Sequence, residues 1–159
     1  MRPAEFYTPT DFTADTNKKE KEMQLIYNIP GDDFTRAGEA SSAIKNKLKQ
    51  MGISPAVVRN VAIATYEGEI NMVIHANGGT ITVDITPDKI ITVLKDTGAG
   101  IPDIPLAMQE GYTTAPDDVR SLGFGAGMGL PNMKKYSDEF DIQSTVGVGT
   151  TVTMGFNVS

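Results

Sequence analysis

Residues 55–76 constrain the fold more than any other stretch. Ser54-Pro55 opens a helix with a capping hydroxyl and then a proline in the first turn, where its missing N–H is no loss. The run stops at Asn77-Gly78-Gly79. Between those limits Val57, Val58, Val61, Ala62, Ala64, Ile70, Val73 and Ile74 make the helix apolar along most of its length, so it is expected to be deeply buried. Yet it also carries Glu67, Glu69, Asn71 and His75. Buried charge is expensive unless it is paired or used. Glu67, Asn71 and His75 stand at i, i+4 and i+8 and share one face. Glu69 points elsewhere and is expected to be paired or partly solvated.

The segments around this helix alternate between strand and helix signals. Met23–Ile29 reads as a first strand, stopped by Pro30-Gly31. Asp32 or Asp33 then caps a helix expected to run to about Met51, with Phe34, Ala37, Ala40, Ile44 and Leu48 at helical spacing and Gly52 closing it. Lys45, Lys47 and Lys49 form a solvated face. Thr80–Thr86 and Lys89–Leu94 read as a hairpin about Pro87-Asp88. A short helix is expected near 103–109, a polar loop over 110–120, and a helix from Pro131 to about Tyr136. The last two strands, 139–144 and 150–156, flank Val146-Gly147-Val148-Gly149. Residues 1–22 are polar, with little to bury, and read as a disordered N-terminal extension. Residues 23–159 read as one domain.

Composition excludes several functions. A net charge of −6 gives no basic footprint for nucleic acid. The chain has no cysteine, so disulfides and thiolate metal sites are ruled out. No apolar run is long enough to span a membrane, and the first residues lack the apolar core of a signal peptide. The expected location is cytoplasmic.

Three constellations carry candidate chemistry. Asp96-Thr97-Gly98-Ala99-Gly100 follows the strand Lys89–Leu94. A carboxylate at a strand end can accept from an exocyclic amine, and glycines at alternate positions let a ring lie against the main chain. Taken alone, the pentapeptide is also an ordinary Asp-x-Gly turn. On the long helix, an amide oxygen at Asn71 suits a hydrated Mg²⁺, and Glu67 one turn earlier can orient or deprotonate the attacking oxygen of a phosphoryl transfer. A satisfied polar cluster is the alternative there. Gly123, Gly125, Gly127 and Gly129 alternate strictly before a helix start, the arrangement of a phosphate lid or of a flexible surface loop. No P-loop signature occurs, and the strict Gly-x-Gly-x-x-Gly is absent because Met128 and Leu130 occupy the place of its third glycine. Late in the chain, Gly147-Val148-Gly149-Thr150 puts a hydroxyl where it can help close a base pocket.

In this order the pieces resemble the Bergerat-fold (GHKL) ATPases: Glu-x-x-x-Asn on a helix, Asp-x-Gly-x-Gly after a strand, a Gly-x-Gly-x-Gly lid and a late Gly-x-Gly-Thr. Glu67–His75, the run Ala107–Thr114 and Met128-Gly129-Leu130-Pro131 are similar to the anti-sigma-factor serine/threonine kinase branch, over residues 23–157. The resemblance implies an α/β two-layer (α+β) sandwich, a mixed and mainly antiparallel sheet with helices on one face. It implies ATP and Mg²⁺ as cofactors. Asp96 would read the adenine amine beside Gly98 and Gly100, and Thr150 would complete that site. Asn71 would hold Mg²⁺, and Glu67 would be the catalytic carboxylate. Gly123 to Gly129, with Met128 and Leu130, would wrap the phosphates. The implied activity is transfer of the γ-phosphate to a Ser/Thr on a small partner protein. That partner would be an anti-sigma antagonist or a sigma factor, with no role for nucleic acid or membrane. A non-catalytic, nucleotide-gated binding module is the alternative, and monomer and homodimer both fit. Two features depart from the pattern: added loop material over Ala115–Ser121, and Gly68 inside the core helix, which costs about 1 kcal/mol against Ala.

Overall fold

The computed structural model describes residues 23–31, 33–112 and 128–158. The expected extension over 1–22, Asp32, and the loop and glycines from 113 to 127 lie outside the described residues.

Strands β1 (Met23–Pro30), β2 (Gly78–Ile85), β3 (Lys89–Lys95), β4 (Glu139–Thr145) and β5 (Gly149–Asn157) form one sheet in the order β1-β2-β3-β5-β4. Among the described strands every pairing is antiparallel. The period-2 pattern decides which face is covered. In β2, Ile81, Val83 and Ile85 are buried while the alternating Thr80, Thr82 and Asp84 stay half-exposed. The same alternation buries Ile90, Thr92 and Leu94 in β3. Thr86 closes the β2–β3 hairpin, its N–H and hydroxyl both donating to the Lys89 carbonyl, at 2.9 and 3.0 Å.

Against the buried face lie α1 (Glu39–Gln50), α2 (Pro55–His75) and α4 (Gly129–Tyr136); a single turn, α3 (Ile104–Ala107), follows β3. Helix α2 is the spine. It packs on α1, α4 and four strands, and Val58, Val61, Ala64, Met72 and Val73 join the core formed by Ile44, Leu48, Ile81, Met154 and Phe156. It starts and ends where the sequence places it, with Pro55 in its first turn. The Ser54 hydroxyl makes no capping bond, contrary to expectation; its carbonyl accepts from Val58 N–H instead.

The helix expected from Asp32 or Asp33 is broken in two. Asp33 caps only a 3₁₀ turn, Phe34–Arg36, accepting from Thr35 N–H at 3.2 Å. Ala37 is extended, and Gly38 sits in the left-handed region before α1 begins. Phe34 and Ala37 therefore lie outside the helix whose spacing they extend. The cause is on α2. The Glu69 carboxylate accepts from the N–H groups of Gly38, Ala40 and Ser41 and from the Ser41 hydroxyl, at 2.6–3.3 Å. These are the free amides of a helix N-terminus, and the positive end of α1 sits on that charge. At its other end α1 closes as expected, with Ile53 N–H on the Leu48 carbonyl and Gly52 N–H on that of Lys49.

Gly68 has a packing reason. A Cβ there would collide with the Leu94 side chain of β3 and sit 3.0 Å from Met133 Cε of α4. The bare backbone lets α2 lie flush between sheet and α4. Gly68→Ala is expected to lower the unfolding free energy by about 1 kcal/mol, because overpacking costs of ~1–3 kcal/mol outweigh the helix-propensity gain of ~1 kcal/mol. Urea unfolding checks this; a more stable variant contradicts it.

Candidate functional site

A cavity of about 550 Å³ opens between α2, the end of β3 and the start of α4. This is within the span of small-molecule sites, roughly 300–1,000 Å³. From α2 come Glu67, Asn71 and His75, the three residues placed on one face by helical periodicity. Asp96 and Gly100 come from the turn after β3, and Thr150 from β5. Met128, Gly129 and Leu130 come from the start of α4, while Leu94, Met133 and Val152 supply an apolar wall. Gly123, Gly125 and Gly127 lie outside the described residues.

Asp96 is held by main chain. Its Oδ1 accepts from Gly98 N–H at 2.9 Å and from Thr150 N–H at 3.2 Å, and its own N–H donates to the Thr150 carbonyl at 3.0 Å. Among the described residues none donates to Oδ2. Gly98 does not line the cavity; its contribution is that amide. Gly100 has φ +81°, and a Cβ there would lie 2.5 Å from the Thr145 carbonyl oxygen. Both facts require glycine, because the turn is pressed onto the β4–β5 hairpin, where Gly147 N–H donates to the Ala99 carbonyl at 2.8 Å.

Ser144 pins the same corner. Its Oγ accepts from Ile101 N–H at 2.7 Å and lies 2.7 Å from Thr150 Oγ1, its cross-strand neighbour. At the other end of the cavity α4 meets α2 closely. A Cβ at Gly129 would stand 3.0 Å from both amide atoms of Asn71. One turn further on, Asn132 Nδ2 donates to Glu67 Oε2 at 2.9 Å. Neither Ser144 nor Asn132 carries a motif in the sequence. The first depends on strand register and the second on the docking of α4. The half-exposed rings of Tyr66 and Tyr112 at the cavity wall likewise have no sequence signature.

Glu67, Asp96 and Asp103 line the cavity, and no Lys or Arg among the described residues does. Burial pushes the His75 imidazole below its usual range. The Tyr66 phenol is pushed up by burial, then by the Glu67 and Glu69 carboxylates. A polyanion entering this acidic cavity needs a cation with it. The described residues contain no group of three or more His, Asp or Glu arranged to hold a metal. The Asn71 amide on the cavity wall is a donor of the kind that suits a hydrated Mg²⁺.

The architecture is thus a sheet with helices on one face, and a cavity between them with an acid at one end and a carboxylate–amide helix face at the other. Residues 32–156 match the family model described as the histidine kinase-like ATPase domain, and the chain belongs to that family. It is 30% identical over 112 residues to the serine/threonine-protein kinase RsbT of Bacillus subtilis (strain 168), covering 68% of this chain and 78% of that one. It is 37% identical over 140 residues to the anti-sigma F factor of Caldanaerobacter subterraneus subsp. tengcongensis, covering 84% and 90%. These relatives bear out the resemblance to the anti-sigma regulatory kinase branch. The solved structure of the RsbU and RsbW domains of Rv1364c from Mycobacterium tuberculosis matches with a TM-score of 0.53 at 16% identity, over 84% of this chain and 32% of that one. That likeness is one of fold.

Glu67 and Glu69 are two residues apart and have different work. Glu69 is 2% exposed and fully engaged with the start of α1, while Glu67 faces the cavity. Glu69→Gln puts an amide N–H₂ against N–H donors. It is expected to cost roughly 2–3 kcal/mol, the scale of hydrogen bonds to a charged group. Glu67→Gln is expected to cost less than about 1 kcal/mol in the same denaturation assay. Equal losses contradict the division.

Proposed function

We propose that this protein is an ATP-dependent serine/threonine protein kinase of the anti-sigma regulatory type. Its acceptor would be a Ser or Thr hydroxyl on a small partner protein, an anti-sigma antagonist or a sigma factor. The observation that carries the reading is the shared cavity: Asp96 stands at one end, and Glu67 and Asn71 at the other, where α4 begins. The family membership and the kinase and anti-sigma names of the relatives support it.

In this reading the adenine amine donates to Asp96 Oδ2, with Gly98 fixing the carboxylate and Gly100 leaving space beside the ring. Thr150, tied to Ser144, closes that end. The triphosphate runs toward Asn71 and the α4 N-terminus, where Gly129, Met128 and Leu130 bound it and the free amides favour negative charge. Gly123, Gly125 and Gly127 would complete the phosphate wrap. Asn71 would hold Mg²⁺, which when bound would supply the positive charge that offsets phosphate beside the acidic cavity wall. Glu67 takes the proton of the acceptor hydroxyl as its oxygen bonds to the γ-phosphorus and the bond to the β,γ-bridging oxygen breaks, releasing ADP. Little covalent work falls to the protein, so positioning and charge placement dominate.

Asp96→Asn is expected to weaken binding of a fluorescent ATP analogue by roughly 1–3 kcal/mol, since an amide cannot replace a pure acceptor. Unchanged affinity removes Asp96 from the site. Glu67→Gln is expected to bind Mg-ATP nearly normally and lose phosphate transfer by ~10²-fold or more, whereas Asn71→Ala weakens Mg-ATP binding itself. The transfer assay uses partners captured in the presence of ATP, with mass spectrometry locating the phosphate. Wild-type transfer by Glu67→Gln contradicts the catalytic role. ATP-dependent capture with no phosphate on any captured protein replaces the kinase with a nucleotide-gated binder.

A further inference from the structure

We propose that Asn132 is the positioning residue for Glu67, coupling the alignment of that carboxylate to the seating of α4. This rests on the reading of Glu67 as the carboxylate that faces the acceptor hydroxyl.

The two helices meet at two levels. At the first, Gly129 stands against Asn71, so closely that a Cβ would be 3.0 Å from the amide. At the second, three residues along α4 and four back along α2, Asn132 meets Glu67 with a 2.9 Å hydrogen bond. The spacing is one turn on each helix, so the groups that would hold metal and base are each matched by a residue of α4. The main chain of Asn132 is held in the first turn of α4, where its backbone N–H donates to the Met128 carbonyl at 2.9 Å. Between the two levels, Met133 is buried in the space left by Gly68.

The side-chain chemistry suits the task. A carboxylate has two oxygens and several rotamers, and the donor on Oε2 leaves Oε1 with none among the described residues. Asn supplies that donor without a positive charge that would neutralise the base. Asn is also a weaker helix former than Lys, Leu or Ala, so helix propensity does not account for it at an interior position of α4. The helix that carries it opens with Gly129-Leu130 on the cavity wall. A shift of α4 that loosened the phosphate end would therefore also release Glu67.

Three measurements on the full chain test this. In ¹⁵N–¹H spectra the Asn132 side-chain amide protons are expected to be unequally shifted, and the inequality to shrink in Glu67→Ala, with no nucleotide or acceptor present. In phosphate release from Mg-ATP, with water standing in for the acceptor, Asn132→Ala is expected to lower kcat about tenfold and to leave the dissociation constant of the fluorescent ATP analogue within about twofold. Asn132→Asp, which keeps the shape but places a like charge beside Glu67, is expected to lower kcat further. In a Glu67→Gln background Asn132→Ala should change kcat by less than about twofold, since the group it positions is gone. The proposal is overturned if the Asn132 amide signal ignores Glu67→Ala. It is equally overturned if Asn132→Ala lowers rate and nucleotide affinity together, or acts fully on top of Glu67→Gln. A wild-type protein that releases and transfers no phosphate, with the amide signal still answering to Glu67, removes the kinase reading and leaves the hold of Asn132 on Glu67 standing.

Discussion

The contact at Gly68 governs the arrangement of everything around it. The helix packs on four strands, on α1 and on α4, and at Gly68 it approaches Leu94 and Met133 with no side chain of its own between. That approach sets the distance between α2 and the sheet. The distance in turn fixes the width of the cavity, because Leu94 and Met133 are also its apolar wall. A residue that weakens the helix by its backbone freedom thus lets the Leu94 and Met133 side chains close on the helix itself. The core around it is ordinary: β-branched and leucine side chains on the covered sheet face, met by Ile44, Leu48, Val58, Val61 and Val73.

Polar groups on α2 are sorted by which neighbour each one meets. Glu69 points toward α1 and takes four hydrogen bonds, so a buried charge becomes the cap of another helix. Glu67, Asn71 and His75 point the other way, into the cavity. A helix that buries nine of its 21 residues tolerates a buried carboxylate at Glu69 because of this sorting. It also binds the two tasks together, since α1 is secured to the same helix that lines the site.

Much of this was legible from residue spacing alone. The 3.6-residue period of α2 placed Glu67, Asn71 and His75 on one face, while the covered side of the sheet was implied by the family resemblance. Asp96 and Thr150, far apart in the chain, come together as the glycine pattern and the family resemblance suggested: the Asp96 N–H donates to the Thr150 carbonyl, and the Thr150 N–H donates to the Asp96 carboxylate. What escaped reading depends on remote partners. The start of α1 is set by a carboxylate 31 residues from Gly38, so local capping signals at Asp33 pointed to the wrong residue. Ser144 matters only once strand register sets it opposite Thr150, and Asn132 only once α4 is docked. Gly68 looked like a defect because its benefit lies in side chains of two other elements.

The central claim is that one cavity holds a nucleotide in a single orientation, base at Asp96 and phosphates at Asn71 and the start of α4. A crystal structure with Mg²⁺ and a non-hydrolysable ATP analogue tests it most directly. The account predicts the adenine amine within hydrogen-bond distance of Asp96 Oδ2, the metal on Asn71 Oδ1, and the γ-phosphate on the Glu67 side of the cavity. A nucleotide bound in the reverse orientation, or seated outside the cavity, would contradict it.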